Sequence, residues 1–395
     1  MAVQRKILED LLQNIVVENN LEDYTISIEE LSSGGANYTS IIYRIIITSK
    51  NKKDLDLFAK VANLSDASRK EMPVHLFFQA EYFVYHELVR IYNNIQEKNN
   101  VPTNERFKFP KFYGSNGNVK EETIVLENLV GQGYTMYDRH KPITWEYASK
   151  AVEELAKFHA LSYAYEHENP DEFKKISEKL SISNLFDYDV VKMSFRKMAE
   201  MTYGFLSDDH RRRLEKFVEK SWTRESFVKD YGPGKWPVLA HGDFRSSNIL
   251  HKCRNEEVIS LVPIDYQTLR LSAPATDLLY FIYSGSDNEF REKHLKSLLD
   301  HYYKTLCKFL EYFNLDPDSV LSRDNLDEDI KDKLGHGLCS AIFTLPIVLV
   351  DADKAPNMSD EGASLSTLVK SVKPNEPFKQ RFIPIVQDFI NYGVI

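Results

Sequence analysis

The stretch His241-Gly242-Asp243-Phe244-Arg245-Ser246-Ser247-Asn248, followed seventeen residues later by Asp265 in Val262-Pro263-Ile264-Asp265-Tyr266, decides the reading of this chain. It sets one carboxylate where a proton can be taken, and an amide and a second carboxylate where Mg²⁺ can be held. Phosphoryl transfer needs those parts, because its catalysis is mostly positioning and charge neutralisation. The catalytic spacing of kinases is His-x-Asp, four residues, then Asn, with a metal-binding Asp beyond a short β-hairpin. Asp243, Asn248 and Asp265 keep that spacing. The motif predicts a kinase.

The flanking residues agree. Trp236-Pro237-Val238-Leu239-Ala240 is a short apolar run that delivers the loop from a buried strand. Asn248-Ile249-Leu250 and Val258 to Ile264 are apolar stretches separated by polar Arg254-Asn255-Glu256-Glu257, a hairpin pattern that returns Asp265 beside Asn248. Hard oxygen ligands from one amide and one carboxylate suit Mg²⁺, with nucleotide phosphates and water completing its shell. A lone His-Gly-Asp is a weak signal, since Asp often only caps a turn. Its weight comes from what precedes it.

Upstream, Tyr24 to Leu31 and Ile41 to Thr48 are β-rich and joined by a segment containing Gly34 and Gly35. A Gly pair lets backbone N–H groups approach phosphate, although in a hairpin it is often only a turn. Leu55-Asp56-Leu57-Phe58-Ala59-Lys60-Val61 is a strand carrying a lysine among apolar neighbours. By default such a lysine snorkels to water, so a functional role requires a partner. Glu81 supplies one: Tyr85, Leu88 and Tyr92 follow it at helical spacing on a helix expected over Val74 to Ile95. A carboxylate heading an apolar stripe is costly unless paired. A Lys60–Glu81 ion pair resolves the cost and aims the ammonium at the nucleotide phosphates. The alternatives are a solvated face for Glu81, or Glu87 as the partner. Ile124 to Leu129 then reads as a buried strand entering a hinge, where the backbone of Glu127 and Leu129 binds adenine.

These residues carry a family resemblance. Phe78-x-x-Glu81-x-x-x-Tyr85, Leu126-Glu127-Asn128-Leu129, Leu155-Ala156-Lys157-Phe158-His159-Ala160, His241-Gly242-Asp243 and Asp277-Leu278-Leu279-Tyr280-Phe281 occur in order. In this the chain resembles the ecdysteroid kinase-like (CHK-kinase-like) family of insects, within the aminoglycoside phosphotransferase and choline kinase superfamily. The resemblance implies a protein-kinase-like fold and ATP-dependent phosphorylation of a small-molecule hydroxyl. It assigns Lys60 to the phosphates, Glu81 as its partner, Asp243 as base, and Asn248 and Asp265 as Mg²⁺ ligands. It makes His241 and Asp277 the support of the catalytic loop. The acceptor it suggests is an ecdysteroid, or a foreign alcohol or glycoside.

Two departures bear on the acceptor. Arg245 and Ser247 stand where family members often carry Trp and a second Asn, and Asp265-Tyr266-Gln267 where they often read Asp-Phe-Gln. Arg245 occupies the place of a protein-kinase lysine that touches the γ-phosphate. It is therefore expected to bind the transferring phosphate; the alternative is a surface salt bridge. A protein substrate is not expected. Only eleven residues separate Asp265 from Asp277, too few for the platform that positions a peptide. Conversely, the long stretch between His159 and His241 has helical patterns at Ile182 to Met201 and Asp208 to Phe227, which can close a small-molecule pocket.

Other features read more plainly. Ala148, Val152, Leu155, His159 and Ser162 follow helical spacing, so His159 is expected to be a core histidine bonded to a backbone carbonyl. Tyr280, Phe281 and Tyr283 are expected mainly as core, some possible as acceptor-pocket lining. A net charge of −9 and pI near 5.7 disfavour a nucleic-acid surface. The charged N-terminal segment reads as a surface helix rather than a signal peptide. The apolar run Ala341 to Val350 is too short to span a bilayer and contains Pro346. Cys253, Cys307 and Cys339 lack metal spacing, so reduced thiols in a cytoplasmic protein are expected. Asp-rich Asn314 to Lys333 reads as a solvated connector.

The expected architecture is α+β and two-lobed: a small β-rich nucleotide-binding N-lobe over residues 1–128 and a larger helical C-lobe over 129–395. ATP and Mg²⁺ lie between them, and no nucleic-acid or membrane partner is expected. The alternative functions are a choline- or aminoglycoside-type kinase, which needs anionic pocket residues, and a catalytically silent nucleotide- or steroid-binding pseudokinase.

Overall fold

The structure is a computed structural model, and it describes residues 2–31, 39–180, 188–221, 223–350 and 365–395. The expected Gly34-Gly35 turn lies outside the described residues, as does the start of the pattern at Ile182. Alternating hydrophobicity builds the first layer. Strands β1 (Thr25–Leu31), β2 (Ser40–Thr48), β3 (Leu55–Ala62), β4 (Phe112–Asn116) and β5 (Thr123–Glu127) form one antiparallel sheet in the order β1-β2-β3-β5-β4.

Period-two geometry then assigns the faces. Leu57, Ala59 and Val61 of β3 and Val125 of β5 bury one face against Leu8, Leu12, Ile15 and Val16 of the N-terminal helix Ala2–Glu18. The alternate residues turn the other way. Lys60, paired in register with Ile124, thus shares the face on which Ala62, Ile124 and Leu126 join the main core. The strand thereby delivers one cation to the cleft side of the sheet.

The expected helix over Val74 to Ile95 is present but not uniform. Val74–Phe83 and Val89–Lys98 are α-helical, and Val84–Leu88 between them forms a wider π-helical turn. Such turns cluster at functional sites. Tyr85, Leu88 and Tyr92 are buried, as the stripe requires.

Beyond β5 the chain is mainly helical, which completes a two-lobed, protein-kinase-like α+β fold. Helix Trp145–Glu168 is buried along most of its length and packs on the long helix Asn288–Tyr312. Small strands carry the chemistry, all but the first of them between these two helices in sequence. β6 (Thr135–Met136), β8 (Ile249–Arg254) and β9 (Glu257–Pro263) form one sheet, and β7 (Val238–Ala240) pairs with β10 (Arg270–Ser272). The hairpin read from Asn248 to Ile264 is therefore the β8–β9 pair, and the bond from the Ile264 amide to the Asn248 carbonyl, 2.9 Å, closes its mouth.

One sequence expectation needs correction. Asn314 to Lys333 is not a solvated connector: it contains helices Pro317–Leu321 and Arg323–Asp332, and Leu321, Leu326, Asp329 and Lys333 are buried. Leu321 and Leu326 supply the apolar anchors, and the buried Asp329 accepts the Ala275 amide at 3.1 Å. The apolar run Ala341 to Val350 lies mostly in a helix, Leu334–Val348, which packs beside helix Pro274–Gly285 and contains Pro346. No helix among the described residues is long and apolar enough to cross a membrane.

Candidate active site

The chain reverses sharply at Gly242, where φ is +83°, a region that favours glycine. Space as well as conformation demands it. A Cβ there would lie 2.1 Å from an Arg270 guanidinium nitrogen and 2.2 Å from the Thr268 carbonyl. Asp277, at the start of the next helix, holds the turn from behind. Its Oδ2 accepts the His241 amide at 2.7 Å and its Oδ1 the Gly242 amide at 2.8 Å. Burial alone would raise the Asp277 carboxyl, but the His159 ring and nearby cations hold it below its usual range. His241 is buried too, and its Nε2 meets the Ile264 carbonyl at 3.0 Å, tying the loop to the hairpin.

His159 differs from expectation in its partners. It is fully buried, but its ring bonds Asp277 Oδ2 at 3.2 Å and the Tyr302 hydroxyl at 2.7 Å, not a backbone carbonyl. A buried carboxylate needs hydrogen-bond donors, and His159 adds a third to the two amides. Helical spacing located the ring in the core without identifying this partner.

Asp243 sits at the centre. Its Oδ2 accepts from Asn248 Nδ2 at 2.8 Å, and its Oδ1 accepts from Arg245 Nε at 3.0 Å and from the Tyr280 hydroxyl at 2.6 Å. Arg245 also donates to Ser247 Oγ at 2.7 Å. Its side chain is only 16 % exposed, so the salt bridge weighed as an alternative exists but is not a surface one: its partner is Asp243 itself. Tyr280, expected mainly as core, is half-buried at the carboxylate, with Thr344 donating to its hydroxyl at 3.1 Å. Sequence spacing could not show this, because Phe281 and Tyr283 beside it are ordinary core.

Lys60, Glu81 and Asp265 converge from three distant segments. The Lys60 ammonium donates to Glu81 Oε2 at 3.1 Å and to Asp265 Oδ1 at 2.6 Å. Glu81, not Glu87, is the partner. Burial works against the Lys60 charge, yet the two carboxylates more than offset it and hold its pKa above the usual range. They divide the ammonium unequally. Burial, with repulsion from Asp265, pushes Glu81 up to about 7 despite Lys60, whereas Asp265 is held below its usual range against the same burial by Lys60 and Arg245. Asp265 adopts φ +68°, a left-handed conformation that a non-glycine residue keeps only when its surroundings require it.

The donor set suits Mg²⁺. The Asn248 amide nitrogen points at Asp243, which leaves its Oδ1 as a free carbonyl oxygen. Asp265 has one oxygen on Lys60 and a second available. Two hard oxygen donors beside one hairpin mouth fit Mg²⁺ that takes its other ligands from phosphates and water. Among the described residues no three His, Cys, Asp or Glu gather as a self-sufficient metal site.

At the connector after β5 the Glu127 carboxylate is engaged outside the cleft, by the Lys111 amide and by Gln132 Nε2, each at 2.8 Å. Its backbone N–H is also used, donating to the Lys111 carbonyl at 2.8 Å. Leu129 is buried in a small apolar cluster with Leu250 and Val262 of β8 and β9.

On its other side Asp243 borders a cavity of about 290 Å³. Met72, Pro73, Phe77, Phe227, Phe343 and Ile347 supply most of its apolar wall, and Arg245, Arg270 and Tyr280 its polar rim. The helices between His159 and His241 contribute, as expected. The larger share comes from Leu334–Val348, whose apolar run had been read only for its length.

A search of the curated proteins found no match. Among solved structures, the GDP complex of an aminoglycoside 2'-phosphotransferase-IIIa is 14 % identical, covering 90 % of this chain and 95 % of its own, with a TM-score of 0.43. The aminoglycoside phosphotransferase APH(3'')-Id of Streptomyces rimosus ATCC10970 is 10 % identical, over 81 % of this chain and 97 % of its own, with a TM-score of 0.37. Its complex with ADP and streptomycin aligns over 77 % of this chain and 92 % of that one, at 11 % identity and a TM-score of 0.36. The ecdysteroid kinase-like family model matches residues 34–315, a span that holds every side chain described at this centre except Thr344 and the cavity residues of helix Leu334–Val348, and the chain belongs to that family of small-molecule kinases.

Proposed function

We propose that this kinase transfers the γ-phosphate of ATP to a hydroxyl of a largely apolar small molecule, an ecdysteroid or a foreign alcohol. One observation carries the reading: Asp243 is bonded to Asn248 at the mouth of the hairpin that delivers Asp265 to Lys60, and it also lines the apolar cavity. A base so placed can reach a hydroxyl in the cavity and a phosphate in the cleft together. The order is nucleotide, carboxylate, acceptor.

The roles follow from the contacts. Asp243 orients the acceptor hydroxyl and takes its proton as the oxygen attacks the phosphorus. Lys60, fixed by Glu81, holds nucleotide phosphate, while Arg245 bridges Asp243 to the transferring group. Asn248 and Asp265 hold Mg²⁺, which would neutralise phosphate charge when bound. The adenine lies at the connector between the lobes, near residue 128, with the Leu129 N–H as a donor; that amide has no protein acceptor among the described residues. Leu250 and Val262 support the base from below. Gly34 and Gly35 would cover the phosphates. Asp277 and His241 keep the loop in place.

A choline- or aminoglycoside-type acceptor is disfavoured by the lining, in which Glu71 and Asp243 are the acidic side chains among the described residues. The three cysteines are free, which accords with a cytoplasmic location. Acceptor-dependent ADP release tests the function, with polycyclic alcohols, choline and aminoglycosides compared in one panel. Turnover with the alcohols is expected, and turnover confined to the cationic acceptors would overturn the assignment.

A further inference from the structure

Arg270 lines the same cavity and has no role in the chemistry above. It is 2 % exposed, and its one hydrogen bond, from a guanidinium NH₂ nitrogen to the Thr268 carbonyl, is long at 3.3 Å. Its Nε is buried with no partner, and it forms no ion pair among the described residues. Buried guanidinium groups are ordinarily paired. Arg291, equally buried, shows the usual solution, with Asp388 at 2.6 Å.

Asp277 and Asp243 lie near enough to favour its charge, yet burial outweighs them and holds the Arg270 pKa below its usual range, and neither carboxylate pairs with it directly. Asp243 already has Arg245 at 3.0 Å, and Asp277 is committed to two amides and His159. His336, in the same cavity, is held uncharged, because burial and the adjoining Arg270 and Lys333 cations push it down to about 3. The guanidinium also lies against Gly242, one residue before the base. Whatever it binds is close to the hydroxyl that reacts.

We infer that Arg270 is an acceptor-binding residue, and that the acceptor carries an anionic oxygen group, a carboxylate being the simplest, beside its apolar body. This rests on the small-molecule kinase reading and narrows its substrate class from apolar alcohols to apolar hydroxy acids. Arg is suited to the task because its planar fork binds a carboxylate through two parallel bonds.

The test compares hydroxylated polycyclic carboxylic acids with their methyl esters, by calorimetry on the full chain without nucleotide. Each acid should bind roughly tenfold to a hundredfold more tightly than its ester, the range for a charge-assisted bond in a dry site. Arg270→Met should erase the difference and Arg270→Lys should retain part of it. Should the variants not fold, the wild-type acid-to-ester ratio decides alone. Equal binding of acid and ester, or no binding by any acid of the panel, overturns the inference. Failure of the kinase reading looks different: acids would bind preferentially, yet release no ADP from Mg-ATP.

Discussion

The Lys60 ammonium lies 2.6 Å from Asp265 Oδ1, joining the third strand of the sheet to the loop that leaves the catalytic hairpin 205 positions later. Glu81 shares the same ammonium at 3.1 Å, and the unequal division has a pH signature. Folding raises the Glu81 carboxyl from 4.5 to about 7, so the folded chain holds that proton more tightly than the unfolded one. The associated stability is full below about pH 4.5 and is lost as pH rises through about 7. Asp265 acts oppositely: its lowered pKa contributes stability above 3.8 that disappears in stronger acid. Glu81→Gln should therefore gain stability relative to wild type between pH 4.5 and 7. Denaturant unfolding across that range is the measurement, and parallel wild-type and variant curves would contradict the unequal division.

Arg245 donates to Asp243 and to Ser247, which fixes its guanidinium at the point where phosphate would meet the base. Arg245→Ala is expected to lower kcat by at least about tenfold, the loss of one charge-assisted interaction. Unchanged kcat and nucleotide KM would remove Arg245 from the chemistry.

Tyr280 is the neutral counterpart. Its hydroxyl reaches Asp243 Oδ1 at 2.6 Å and is itself held by Thr344. Tyr280→Phe removes one donor from the carboxylate and keeps the ring. Steady-state kinetics should show kcat reduced by about tenfold and nucleotide KM unchanged. A variant that altered only nucleotide KM would refute this placement.

Gly242→Ala tests the loop rather than the chemistry. The new methyl meets Arg270 and the Thr268 carbonyl and must sit at φ +83°. A destabilisation of at least ~1–3 kcal/mol by chemical denaturation is expected. Wild-type stability would mean that the turn has more room than its contacts indicate.

What was legible in the sequence depended on the range of the interaction. A lysine among apolar strand neighbours marked Lys60 as needing a partner, and the spacing of Asp243, Asn248 and Asp265 described a hairpin whose pairing is local. Glu81 could be named because an unpaired carboxylate above an apolar stripe is costly whatever surrounds it. Tyr280 and His159 could not be given partners in the same way. Each bonds across the fold, to Asp243 and Asp277, and an aromatic at helical spacing looks alike whether its polar tip meets core or base. Ala341 to Val350 shows the same limit: its length excluded a bilayer span, but only tertiary packing made it a pocket wall. Asn314 to Lys333 misled because acidic residues outnumber the few leucines that anchor it. The π-turn at Val84 to Leu88 leaves no mark in residue pattern at all.

The account stands on Asp243 as the base between nucleotide and acceptor. Asp243→Asn preserves the size of the side chain and removes its capacity to take a proton. Mg-ATP should still bind, and turnover with an accepted alcohol should fall by at least ~100-fold. Turnover at the wild-type rate would contradict the account.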